Sequence, residues 1–116
     1  MVIFIYSRSY LYIMTSIKLP NKDGTISEWS DYDLGEWILS FGSFPVEVTD
    51  SKDFSASYEM ERAHIFKLQN RRYAYVEEVG CSCYEPYGAK IESGLSLREA
   101  EARMKQFIEY YGNRDW

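Results

Sequence analysis

The chain has 116 residues, the length of one domain, and we expect residues 1–116 to form a single α+β domain. Hydrophobic residues make up 46% and charged residues 27% of it, which excludes long disorder, collagen, a coiled coil and a disulfide scaffold. The 13 lysines and arginines are outnumbered by 18 aspartates and glutamates, so the net charge is −5. Because affinity for phosphates comes largely from clustered lysine and arginine, nucleic acid is not expected to be the main partner.

Residues 1–14 are mostly apolar, but Arg8 and two serines interrupt them. They are too few to cross a bilayer as a helix, and they lack the basic front of a signal peptide, so we expect no membrane partner. Two alternatives are open: a strand pair or edge strand of the domain, or an upstream extension with Met14 as the true start. The chain has only two cysteines, which fits a reduced, cytoplasmic location.

The first predicted elements are a turn and a helix. Asn21–Gly24 has the composition of a turn. A helix is predicted over Asp31–Phe41, because Ser30 is a good N-terminal cap and an apolar stripe follows at helical spacing. Gly42 is placed to end this helix in a left-handed conformation. The stripe consists of Leu34, Trp37, Ile38 and Phe41.

The middle of the chain predicts strands. Phe44–Thr49 is expected to be a short strand, followed by a turn at Asp50–Asp53. Side chains over Tyr58–Leu68 alternate with period two, which favours a long strand, although a helix over residues 59–66 is the alternative. Gln69–Arg72 is the expected hairpin tip, and Tyr73–Val79 is the partner strand.

The last predicted element is a helix over Leu97–Tyr111 that begins with a capping box, Ser96 and Glu99, and ends at Gly112. Glu99 and Arg103 are spaced to form an ion pair on its exposed side. The mixed order of these elements predicts an α+β fold. We expect an antiparallel sheet of three to five strands, with two amphipathic helices packed on one face.

The segment Gly80–Gly88 contains both cysteines and has three interpretations. Zinc could be bound by Cys81 and Cys83 together with His64, the only histidine, and with nearby carboxylates, although two thiolates are half of a usual structural site. A strained disulfide between Cys81 and Cys83 would be redox-active. The third interpretation, which we favour, is structural, with both thiols packed under a helix.

No template of a catalytic site is present, and we assign no catalytic residue. There is no phosphate-binding loop and no nucleophile elbow. His64 with a thiol or a carboxylate would form a base and nucleophile pair, which is the basis of the enzyme alternative. The 11 tyrosines suggest a contact surface instead, formed by Tyr73, Tyr75, Tyr84 and Tyr87.

The segment from Tyr73 to Tyr87 resembles a family of small uncharacterised phage and prophage proteins. In that family a strand rich in tyrosine, phenylalanine and valine is followed by Gly-Cys-Ser-Cys, two variable residues, proline and an aromatic residue. Gly80, Cys81, Ser82, Cys83, Pro86 and Tyr87 match this pattern. The resemblance covers roughly residues 55–103 and implies a viral origin, with the host cytoplasm as location, but no reaction.

These observations predict a small acidic, non-enzymatic interaction protein that binds a host or viral macromolecule, for example to modulate host defence. A protein partner is expected, and a second copy of the chain is one candidate. Its acidic surface would favour basic partners. The alternatives are a thiol or zinc site at Cys81 and Cys83, and a small enzyme that uses His64.

Overall fold

The computed structural model describes residues 16–56, 59–81 and 89–112 of the chain. Four antiparallel strands form one sheet in the order β3–β4–β5–β6, and β1 and β2 form a separate antiparallel pair. Two helices complete the α+β fold that the sequence predicts. The elements in chain order are β1 (Ser16–Pro20), β2 (Ile26–Ser30), α1 (Asp31–Phe41), β3 (Pro45–Asp53), β4 (Glu59–Leu68), β5 (Tyr73–Cys81), β6 (Ala89–Leu95) and α2 (Leu97–Tyr111).

The two helices cover opposite faces of the four-stranded sheet, so the expectation that both lie on one face is wrong. Successive side chains of a strand point to opposite faces, and the central strands β4 and β5 are apolar on both. Phe66 and Val76 pack with α1 and β1, whereas Ile65 and Tyr75 pack with α2. One helix cannot cover two faces. The buried helix residues are Leu34, Trp37 and Phe41 of α1 and Ala100, Met104 and Phe107 of α2.

Four strands differ from the sequence prediction: β1, β2, β3 and β6. The predicted turn at Asp50–Asp53 is the second half of β3, because this polar segment pairs with β4 as far as Arg62. Two irregularities in the β3–β4 register interrupt the alternation that would have revealed a long strand. The hairpin β1–β2 surrounds the predicted turn at Asn21–Gly24, and β6 pairs with β5. Neither β1–β2 nor β6 was predicted, and the alternatives for residues 1–14 lie outside the described residues.

The predicted helices are confirmed. The capping box is present, since the Glu99 amide donates to Ser96 Oγ at 3.1 Å and the Ser96 amide donates to Glu99 Oε1 at 2.9 Å. Arg103 Nε donates to both carboxylate oxygens of Glu92 on β6, at 2.9 and 3.1 Å, and the charge of Arg103 also contributes to the lowered pKa of Glu99. Gly112 caps α2 in a right-handed conformation, and a Cβ there would lie 2.6 Å from the Ile108 carbonyl oxygen.

The tip of the β4–β5 hairpin lies at Gln69–Arg72, between the end of β4 and the start of β5, as predicted. The Arg71 amide donates to the Leu68 carbonyl at 3.0 Å, and the Leu68 amide donates to the Arg72 carbonyl at 2.8 Å. This pattern leaves residues 69–71 as the loop, with Arg71 in the left-handed region at φ 73°. The geometry of this tip sets which residues of β4 and β5 lie opposite each other.

We expect Arg71→Gly to raise the free energy of unfolding by about 0.5–1 kcal/mol, because glycine adopts a positive φ without steric cost. Gly42 also has a positive φ, 74°, with no atom near the position of a Cβ, and it is the matched control. Gly42→Ala should lower the free energy of unfolding by about 1 kcal/mol through backbone strain alone. Urea denaturation of both variants checks the two opposite signs.

Candidate functional site

A groove of about 450 Å³ lies on the α1 side of the sheet, where the apolar core gives way to polar residues. β2 and the first turn of α1 form one wall, and the ends of β3, β4 and β5 form the floor. It is lined by the aromatic side chains of Trp29, Trp37 and His64, the charged side chains of Glu28, Asp33, Lys52, Asp53, Arg62 and Glu78, and the serines Ser27, Ser30 and Ser51.

His64 lies at the centre of this groove and is held by two polar neighbours. It faces Ser51 across the β3–β4 ladder, and Ser51 Oγ lies 2.9 Å from His64 Nδ1. On the other side of the ring, Nε2 lies 3.6 Å from Glu78 Oε1, beyond hydrogen-bond length but within the range of an ion pair. The His64 ring is therefore placed between a hydroxyl and a carboxylate.

Glu78 is 7% exposed, and the side chains of Arg62 and His64 lie near its carboxylate. Arg62 lies directly opposite Glu78 in the β4–β5 ladder, and its Nε is 3.2 Å from Oε1, the same oxygen that faces His64. A buried carboxylate without a partner would cost several kcal/mol, so Arg62 offsets much of that cost. The Arg62 guanidinium also contacts the Met60 sulfur at 3.2 Å.

The aromatic rings of Trp29 and Trp37 pack against the His64 ring. The ring of Trp29 meets that of His64 edge to face, with centroids 4.8 Å apart at 86°. Trp37 lies 5.9 Å from the same ring, and Phe66 packs against Trp29 at 5.2 Å. Because the neighbouring rings restrict its rotation, His64 keeps one nitrogen toward Ser51 and the other toward Glu78.

Two aspartates at the rim differ in the direction of their pKa shift. Partial burial and the negative charge of Glu78 raise the pKa of Asp33, at the start of α1. Burial also acts to raise the pKa of Asp53, but hydrogen bonds from Ser55 outweigh it and lower the pKa, with a contribution from the charge of Arg62. Four carboxylates and two cations line the groove, so it carries an excess of negative charge.

The structure separates the residues of the predicted zinc site. Cys81 pairs with Glu59 at one end of the β4–β5 ladder, whereas His64 pairs with Val76. Glu59 and His64 are five positions apart along β4, about 17 Å at 3.3–3.4 Å per residue, so the backbone positions of Cys81 and His64 lie far apart in the ladder. Cys83 lies outside the described residues. Within residues 16–56, 59–81 and 89–112, no group of three His, Cys, Asp or Glu side chains is placed to hold a metal.

Of the four tyrosines predicted as a partner surface, the structure describes Tyr73 and Tyr75, which both lie beside the core under α2. Tyr75 is 1% exposed and belongs to the core under α2, and its hydroxyl donates to Glu77 at 2.8 Å. Burial and this hydrogen bond raise the pKa of Tyr75. Tyr73 is half-buried beside the same core, and Tyr84 and Tyr87 lie outside the described residues. Burial of its ring makes Tyr75 a core residue and not a contact residue.

Sequence reasoning identified His64 but missed Ser51, Arg62 and Glu78 as its neighbours. Ser51 was placed in a turn, and the turn prediction hid its position opposite His64. Arg62 and Glu78 lie on the two strands of the predicted hairpin, but the sequence prediction set no pairing between them. The predicted β4–β5 hairpin could have revealed one of these contacts. Counting back from its tip in the correct register places Arg62 opposite Glu78.

Comparisons of this chain with protein-family models, with curated proteins and with solved structures give no match. The resemblance of Gly80–Tyr87 to phage proteins therefore stays a prediction from those residues. In the described part of the chain, neither helix has the length and apolar character needed to cross a membrane.

The opposite pKa shifts of Asp33 and Asp53 predict opposite effects on stability. A raised folded-state pKa means that the Asp33 carboxylate destabilises the fold once the pH rises through that pKa, so Asp33→Asn should be more stable than the parent chain at pH 7. A lowered pKa means that the Asp53 carboxylate stabilises the fold at pH 7, so Asp53→Asn should be less stable.

Both differences should shrink as the pH falls and the aspartates become protonated, and the Asp53 difference should persist to lower pH than the Asp33 difference because the folded-state pKa of Asp53 is the lowered one. Urea denaturation of the three proteins between pH 3 and pH 7.5 measures this. If both variants changed the free energy of unfolding in the same direction at pH 7, the two carboxyl environments would not be as described. Changes in the free energy of unfolding that were equally large at pH 3 and pH 7 would lead to the same conclusion.

Proposed function

We propose that this chain is a small acidic binding protein whose groove receives a cationic side chain of a basic macromolecule. The single observation that carries the proposal is the excess of carboxylates around Trp29, Trp37 and His64. The resemblance of Gly80–Tyr87 adds a phage origin to the proposal, with a host protein as the natural partner.

The charge of the groove supports a cationic ligand. The raised pKa of Asp33 means that its carboxylate is repelled by Glu78 and partly deprived of water. A guanidinium or ammonium group beside Asp33 and Asp53 would attract both carboxylates and offset the repulsion between Asp33 and Glu78. The net charge of −5 would also steer a basic partner toward the chain before contact.

The aromatic wall supports the same ligand. Trp29 is half-buried, so part of its ring is available beside the carboxylates. The faces of tryptophan rings attract cations, and the stem of an arginine or lysine is apolar enough to pack against them. A groove of about 450 Å³ accommodates one or two such side chains rather than a folded domain.

The alternatives based on zinc or thiol chemistry depend on the side chains of Cys81 and Cys83, which the structure does not describe. They stay predictions from the sequence. Native mass spectrometry with and without a chelator distinguishes them, since bound zinc adds mass and an internal disulfide removes two hydrogens.

The test of the binding proposal uses a fluorescein-labelled peptide of alternating arginine and glycine, measured by fluorescence anisotropy. We expect the parent chain to bind this peptide at low salt, and Asp33→Asn and Asp53→Asn each to weaken binding by about three- to tenfold. The two variants have opposite expected effects on stability, so weaker binding by both cannot be attributed to unfolding.

Two controls make this result specific. Glu101→Gln removes one negative charge from the exposed side of α2, on the other face of the sheet, and should change the affinity by less than about twofold. A peptide with glutamine in place of arginine should not bind. Equal weakening by Glu101→Gln, or equal binding of the glutamine peptide, would exclude the groove as the site.

A further inference from the structure

We propose that Ser51 is a nucleophile able to accept an acyl group, with His64 as its general base and Glu78 as a positioning residue. The proposal goes beyond peptide binding and does not depend on it. It rests on the juxtaposition of three side chains from three adjacent strands, with Ser51 Oγ 2.9 Å from His64 Nδ1 and His64 Nε2 3.6 Å from Glu78 Oε1.

The proposed proton transfer runs from the Ser51 hydroxyl to His64. It requires a neutral imidazole with its proton on Nε2, the nitrogen that faces Glu78, because Nδ1 then has a free lone pair to which the Ser51 hydroxyl can donate. This is the relation in which a histidine can remove a proton from a serine, with the roles of the two ring nitrogens exchanged relative to the serine protease arrangement.

Exposure also favours reactivity at Ser51. His64 and Glu78 are each 7% exposed, whereas Ser51, on the floor of the groove, is exposed. The base is thus shielded while the nucleophile is accessible. Ser27 lines the same groove, but its hydroxyl donates to the Asn21 side chain and has no base beside it, which makes it a matched control.

The proposed substrate is a small carboxylic ester. Ser51 Oγ would form a bond to the carbonyl carbon while its proton moves to His64 Nδ1, and the alcohol would leave with that proton as the carbon–oxygen ester bond breaks. Water would then attack the acyl-serine, with His64 again removing a proton, and the products would be the carboxylic acid and free Ser51.

A fluorophosphonate probe tests the nucleophile directly. Ser51 Oγ would form a bond to phosphorus, fluoride would leave, and the serine proton would pass to His64. We expect the intact parent chain to gain one probe mass, mapped to the peptide that contains Ser51. Ser51→Ala should lose this label, and Ser27→Ala should keep it at an unchanged rate.

Three further variants test the base and its orientation. His64→Gln should slow labelling by roughly a hundredfold while circular dichroism shows a folded chain. Glu78→Gln should slow labelling in a chain that circular dichroism shows to be folded, and Glu78→Asp, which keeps the carboxylate, should restore part of the rate. A purely structural role of Glu78 predicts no such rescue by the carboxylate.

The outcomes are decisive in both directions. Labelling that depends on Ser51 and His64 supports the nucleophile whether or not the arginine peptide binds. No labelling of the parent chain, under conditions that label a serine hydrolase fully, overturns it. So does labelling of Ser51→Ala at the parent rate, since the reactive group would then be another residue.

Discussion

The pairing register between β4 and β5 is the constraint on which both the core and the groove depend. It places Phe66 opposite Ala74 in the core, and Arg62 opposite Glu78 in the groove. Side chains alternate between faces, so a slip of one residue would exchange the contents of the two faces. The three-residue loop at the hairpin tip, with Arg71 at positive φ, selects this register.

One face of the same strands changes from apolar to polar along its length. Phe66 and Leu68 lie under α1, and His64 and Arg62 follow on the same face of β4. The cover formed by α1 and β1–β2 does not close over these last positions, and the groove lies where it ends. The groove thus has a rigid floor of paired strands, on which side chains are held more exactly than on loops.

The groove contains one buried ion pair and several exposed carboxylates. Glu78 is buried with its charge balanced by Arg62, and a buried carboxylate that lost such a partner would cost about 3–5 kcal/mol. Burial restricts the side chain of Glu78, and it faces both Arg62 and His64 through one oxygen. The remaining carboxylates of the groove are those of Glu28, Asp33 and Asp53, which are exposed where a ligand can reach them. This accessible negative charge is the basis of the binding proposal, whereas the Ser51 proposal rests on the placement of His64 between Ser51 and the buried Glu78.

The elements with strong local signals were predicted correctly. The capping box and apolar stripe predicted α2, the stripe from Leu34 to Phe41 predicted α1, and period-two alternation predicted the β4–β5 hairpin. These signals are local, since they depend on spacing within one element. β6 and the second half of β3 lack such a signal because polar residues and register irregularities break their alternation.

The groove could not be predicted in the same way. Ser51, His64 and Glu78 come from three strands, and their meeting depends on two registers and on the length of one turn. The sequence by itself determined the α+β class, both helices, the main hairpin and the acidic charge. Only the tertiary structure decided that the helices take opposite faces and that His64 lies between Ser51 and Glu78, because strand pairing joins residues that no local spacing relates.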